Sequence, residues 1–177
     1  DGMDYMNYAT YGEGLNEILA QYPERGVFPL SEDYAMIRWM QQNVEGSPII
    51  VEGLSKDSLY KWNGRISIYT GLPAVIGWNW HQKQQRTFEP MGQWVDSRIA
   101  NVNAFYETTS IGVAWDLLRF YDASYVIVGN LEYAYYRPEG LAKFDEMVEQ
   151  GLLEVVFQQG SSTIYRVNRD VQMVEQG

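Results

Sequence analysis

A chain of 177 residues that is 46% hydrophobic and free of cysteine can bury a core, but without disulfides, thiol catalysis or sulfur-bound metal clusters. Its formal charge of −10 argues against nucleic-acid binding and against a polybasic patch on a membrane surface. No apolar stretch approaches the roughly 18–20 residues that span a bilayer. The opening Asp1-Gly2-Met3 has no basic-then-apolar leader, so the chain reads as part of something longer.

Residues 1–10 have no clear period. Leu15, Ile18, Leu19 and Tyr22 then share one helical face, which predicts a helix over 12–22 ended by Pro23. Ser31 is a good N-cap, with Glu32 and Asp33 complementing the helix dipole in the first turn. Met36, Ile37, Met40 and Val44 line the face of that second helix, and Gly46 closes it. Pro48–Gly53 is continuously apolar up to Glu52, as expected of a buried parallel strand. A polar loop over 54–63 follows.

The stretch 62–86 is the densest in chemistry. Residues 66–69 and 74–77 are rich in β-branched and aromatic side chains and bounded by Gly64, Gly71, Pro73 and Gly77, so both read as strands. After Gly77 come Trp78, Trp80 and His81, then a glutamine-rich run ending at Arg86. Beyond a loop over 87–93, Val95, Ile99 and Val102 fall at helical spacing and predict a helix over 94–105. Ser110 caps a further helix with Ile111, Ala114, Trp115 and Leu118 on one face, and 124–128 is a second buried strand. Residues 130–138 read as a tyrosine-rich loop delivering Pro138 to the first turn of the next helix. Leu141, Phe144, Met147 and Val148 form the buried face of that helix, and Gly151 stops it. The runs 153–158 and 163–167 flank Gly160-Ser161-Ser162 as a closing hairpin, followed by a polar tail. The expected fold is α/β: a mixed sheet flanked by helices in a single layered domain, with a C-terminal β-hairpin.

Several side chains qualify for chemistry, each with a plainer alternative. His81 is the only side chain whose unperturbed pKa lies near neutrality, and it could bind phosphate or shuttle a proton; the plainer reading packs its ring between Trp78 and Trp80. Arg65 and Arg86 suit bidentate recognition of phosphate or carboxylate, or internal ion pairs with some of the 23 acidic residues. Glu52 ends its strand at a glycine and could face the crevice at the sheet edge, where open α/β folds hold their ligands. Asp57, Asp96, Asp116 and Glu132 are possible acids or bases, yet no spacing pairs any of them. A metal centre would need carboxylates from distant loops, because the chain has one histidine. Neither a phosphate-cradling glycine loop nor a G-x-S-x-G elbow occurs. The 14 tyrosines and 6 tryptophans fit packing, sugar stacking or a membrane-facing surface, and composition does not choose.

The order DGMDYM, AMIRWM, PIIVEG and GRISIYTGLPAVIGWNWHQKQQR resembles the C-terminal soluble region of the "YYY" family of polytopic membrane proteins of bacteria and archaea. LLRFYDASYVIVG, LEYAYYRPEGLAKF and the hairpin ending TIYRV continue the same order, so the resemblance runs over nearly the whole chain. That family looks like GT-C membrane glycosyltransferases, which use lipid-phosphate-linked sugars. The domain order is also similar to the region after the membrane part of oligosaccharyltransferase catalytic subunits. The counterpart of their WWDYG motif is Tyr60-Lys61-Trp62-Asn63-Gly64-Arg65, which lacks the tandem tryptophan and the aspartate.

The resemblance implies an extracytoplasmic domain partnered by its own transmembrane region and by a lipid-linked sugar. Any catalytic acid, and any divalent cation, would belong to membrane loops outside this chain, so no catalytic residue and no cofactor is assigned within it. Arg65, Trp78, Trp80, His81 and Arg86, with Glu52 at the same sheet edge, are the expected substrate-binding residues. A carbohydrate- or partner-binding module, or a structural support for a transmembrane bundle, are the competing readings.

Overall fold

A computed structural model describes residues 31–54, 63–77 and 91–171. The helix expected over 12–22 and the residues Asp57, Trp78, Trp80, His81 and Arg86 lie outside the described residues. In chain order the elements are α1 (Ser31–Asn43), β1 (Ile49–Val51), α2 (Arg65–Thr70), α3 (Met91–Glu107), α4 (Ile111–Phe120), β2 (Ala123–Val128), α5 (Asn130–Tyr135), α6 (Pro138–Glu149), β3 (Leu153–Gln159) and β4 (Ser162–Val167). The fold is α/β, with a mixed sheet, flanking helices and a C-terminal hairpin.

The four strands run in the order β1-β2-β4-β3. β1 pairs with β2 in parallel, through Ile50 opposite Tyr125 and Val51 opposite Val126. β2 and β4 are antiparallel, as are β4 and β3. Alternation along each strand divides the core in two. Val51, Val126, Val128, Tyr165 and Val167 face one side, where they pack with Phe105, Trp115, Leu118 and Phe144 of α3, α4 and α6. Ile50, Ile127 and Ile164 face the other, against Met36, Ile37 and Met40 of α1 and Ile66 of α2. Helices on both faces explain why β1 and β2 read as apolar runs.

Two expectations are corrected. Residues 66–69 are helical, and 74–77 contribute only one parallel bridge, Ala74 to Ile50. Gly64 and Gly71 bracket α2 with φ of 81° and 76°, a left-handed backbone that ends strands and closes helices. The Glu52 carboxylate then accepts from the first free N–H groups of α2, Ile66 N at 3.1 Å and Ser67 N at 3.0 Å. A cap from another element thus outweighs the β propensity of Ile-Ser-Ile-Tyr. The tyrosine-rich "loop" is also partly helical: α5 occupies 130–135, with Glu132 Oε2 accepting from Gly129 N at 2.8 Å. Elsewhere Ser110 caps α4 by accepting from Val113 N, and Pro138 opens α6, as the sequence predicts.

Candidate functional site

β1 and β2 both end at the same edge of the sheet, and the groups that gather there come from four separated stretches. The loop after β1 brings Glu52, Gly53 and Leu54; α2 brings Arg65; α1 brings Asp33; α5 brings Glu132. Arg65 is 1% exposed despite carrying a permanent charge. Its Nε donates to Asp33 Oδ1 at 2.6 Å, and its two terminal nitrogens donate to Glu132 Oε1 at 3.1 Å and Oε2 at 2.9 Å. Glu52 Oε2 stands 3.9 Å from Nη1. This planar fork against a carboxylate is the strongest hydrogen-bond geometry an arginine offers.

Glu132 is the hub. Besides Arg65 it accepts from Gly53 N and Gly129 N, both at 2.8 Å, and so holds the ends of β1 and β2 in place. Gly53 has no room for a side chain: a Cβ there would lie 2.9 Å from Glu132 Cγ, Glu132 Oε1 and Tyr136 Cε2. Beneath the ions, the Tyr106 hydroxyl reaches Ile127 O at 2.7 Å and Val51 O at 3.0 Å. Its ring stacks on Tyr136 with centroids 4.7 Å apart. The Tyr136 hydroxyl accepts from Leu54 N at 2.9 Å and meets Asn103 Oδ1 at 3.0 Å.

Burial governs the electrostatics. It pushes the Glu52 carboxyl up from 4.5 to about 7, against the pull of Arg65 and of the N–H groups of Ser67 and Ile66. Burial also works against the Arg65 charge, but Asp33 and Glu132 outweigh it and hold the guanidinium pKa well above its ordinary value. Tyr106 is driven well above the usual phenol range, first by burial and then by the Glu132 charge. One guanidinium therefore faces three carboxylates, of which Glu52 changes charge near neutrality.

Of the expected substrate-binding residues, Arg65 and Glu52 are brought together, while the other four lie outside the described residues. Glu132 stands out in sequence only as an acid without a mate, and Asp33 only as a first-turn dipole residue. Their pairing with Arg65 crosses 67 and 32 positions, so no local spacing announces it. Asp96 and Asp116 are exposed on helices. Among the described residues no group of three histidine, aspartate or glutamate side chains could hold a metal ion, and no helix is long and apolar enough to cross a membrane.

No family model matches the chain, and neither does any curated protein. Among solved structures, the chain is similar to the C-terminal globular domain of an oligosaccharyltransferase from Archaeoglobus fulgidus. The two are 13% identical, with a TM-score of 0.45, over 77% of this chain and 97% of that one. A likeness at this level assigns no role to any residue.

Proposed function

We propose that this chain is an extracytoplasmic accessory domain of a GT-C-like membrane protein of the "YYY" kind, assisting substrate binding without holding the catalytic centre. One observation carries the non-catalytic half of this reading. The sheet edge where open α/β folds keep their ligands is filled by the chain's own Arg65, Asp33, Glu132 and Glu52, all buried, with both Asp33 and Glu132 bonded to the guanidinium. A substrate phosphate would have to displace two carboxylates to reach Arg65. Arg65 and Glu52 then serve as positioning residues for the platform. Trp78, Trp80, His81 and Arg86, on the stretch that follows Gly77, are the proposed contacts to a lipid-phosphate-linked sugar. The sequence order shared with that family supports the membrane setting, with the chain's own transmembrane region as its partner.

The test is transfer of labelled sugar from a lipid-linked donor, by membranes carrying the full-length protein and by the 177-residue chain alone. The chain alone is expected to transfer nothing. In the full-length protein, His81→Ala or Arg86→Ala is expected to lower transfer roughly ten- to hundredfold, the effect of losing a charged hydrogen bond of about 1.5–3 kcal/mol. Arg38→Ala, on the exposed side of α1, serves as the control at matched folded protein levels. Transfer by the isolated chain would overturn the accessory role. Undiminished transfer in both variants would leave the domain a structural support.

A further inference from the structure

The two most exposed large hydrophobic side chains among the described residues are Phe120 at 75% and Trp94 at 61%. Both stand where α3 begins and α4 ends. Tyr121 joins them: its ring meets Phe120 edge-on with centroids 4.9 Å apart, and its hydroxyl accepts from Asn101 Nδ2 at 2.8 Å. The Arg98 guanidinium lies 5.9 Å from the centre of the Tyr121 ring and donates to Val75 O at 3.1 Å. Trp94, Arg98 and Asn101 are spaced i, i+4, i+7 along α3, so Trp94 is one turn ahead of Arg98 on the same side of the helix. Trp94 and Phe120 therefore border one aromatic surface with an arginine at its centre. Tyr121 comes just before β2, which puts this surface at the end of the sheet opposite the Arg65 cluster.

Neither exposed ring serves the core, which takes Ala114, Trp115 and Leu118 from α4 and Val95, Val102 and Phe105 from α3. Together the two rings offer roughly 300 Å² of apolar surface. A stable protein pair covers about 800 Å² on each partner, so this patch is too small to seat a second copy. It suits a bilayer interface, where aromatic rings sit at headgroup level and arginine stems lie along apolar surface with the charge in the wet layer. Charge points the same way. Among the described residues neither Arg98 nor Arg119, the neighbour of Phe120, forms an ion pair, and Asp96 and Asp116 on the same helices balance them. α6, by contrast, turns Glu139, Asp145, Glu146 and Glu149 to solvent and buries its one cation, Lys143. An anionic headgroup layer repels that helix and accepts the end formed by α3 and α4. We infer that this end docks on the lipid bilayer, with Trp94 and Phe120 at headgroup level and Arg98 and Arg119 towards lipid phosphates. The inference rests on the accessory-domain reading above: held beside a transmembrane region, the chain needs only a weak contact, because the tether supplies the local concentration. Residues 78–86, proposed there to contact a lipid-linked sugar, lead through 87–90 into α3 at this same end.

The experiment puts photoreactive benzoylphenylalanine in place of Trp94 or Phe120 in the full-length protein in membranes. Val155, exposed on the edge strand β3, is replaced in the same way as the control. All three side chains are exposed, so the replacements leave the core intact. Irradiation is expected to attach phospholipid at positions 94 and 120, read by mass spectrometry of the labelled peptides, and several times less at position 155. Adducts to the protein's own transmembrane segments or to a second copy would overturn the bilayer as occupant. So would lipid labelling at position 155 equal to that at 94 and 120. Protein found in membranes but without lipid adducts at 94 and 120 would sink this inference alone. Protein absent from the membrane fraction would sink the accessory-domain reading, and this inference with it.

Discussion

Arg65 and Glu132 meet in a two-point contact, Nη1 to Oε1 at 3.1 Å and Nη2 to Oε2 at 2.9 Å, with both side chains fully shielded from water. Removing one member of such a pair leaves the other charge buried without compensation, typically at about 3–5 kcal/mol. Glu132→Ala also strips acceptors from Gly53 N and Gly129 N. It is expected to destabilise the chain by at least the lower figure, read as a shift in urea midpoint with little change in slope. A loss under about 1 kcal/mol would show that the cluster is not a clamp.

Glu52 should leave its mark on pH dependence. Its folded pKa of about 7 lies above the ordinary 4.5, so the native state holds the proton more tightly across that interval. Stability from this group is greatest at or below pH 4.5 and is lost as pH rises to about 7. The full change is on the order of 3 kcal/mol. Glu52→Gln cannot titrate, so the difference between wild type and variant in denaturation at stepped pH should trace that fall. A flat difference between pH 4.5 and 7 would contradict it.

Lys143 runs the other way. Its Nζ donates to Gly140 O at 2.6 Å and lies 4.1 Å from the centre of the Phe144 ring, with no carboxylate in ion-pair range among the described residues. Burial lowers its pKa from 10.5 to about 7. The unfolded chain therefore binds more protons between those values, and stability from this group rises as pH climbs from about 7 towards 10.5. Lys143→Met should abolish that rise. Together with Glu52 it places the lowest stability from these two groups near neutrality.

Gly140 tests packing against propensity. Helix scales favour alanine over glycine by about 0.8–1 kcal/mol inside α6. A methyl at this position would instead overlap the backbone oxygens of Tyr106 and Glu107, which cannot swing aside as a side chain would. Gly140→Ala is expected to lower stability by about 1–3 kcal/mol. A rise in thermal midpoint would mean that α3 and α6 can separate without loss.

Legibility in the sequence followed the range of the interaction. The apolar stripe of Met36, Ile37 and Met40, the Ser110 cap, Pro138 at the start of α6 and the closing hairpin all rest on neighbours within a few residues. Each is found where its local pattern puts it. α2 was hidden because Ile66, Ser67, Ile68 and Tyr69 have a strand's composition, while the groups that cap it sit on Glu52. Glu52 and Arg65 were both visible as candidate binding residues, Glu52 at the end of its strand and Arg65 at the start of what reads as another. What joins them, Glu132 and Asp33, comes from α5 and α1, and only the assembled sheet brings those elements together. α5 itself, read as loop, starts where Glu132 turns back onto Gly129 N.

The strand order carries a kinetic consequence. β3 and β4 meet across the short Gly160-Ser161 turn, whereas Ile49 of β1 must find Ala123 of β2, more than seventy positions along the chain, from beyond α2, α3 and α4. Closing the longer loop costs more chain entropy before any contact rewards it. The hairpin is therefore expected to be organised early in folding and β1 to dock late. Truncations at Ile164 should slow refolding, while truncations at Ile50 should mainly hasten unfolding. The reverse pattern in stopped-flow measurements would place the nucleus at the parallel pair. Late docking would also make the Arg65 cluster a lock that closes only after the rest of the sheet is built.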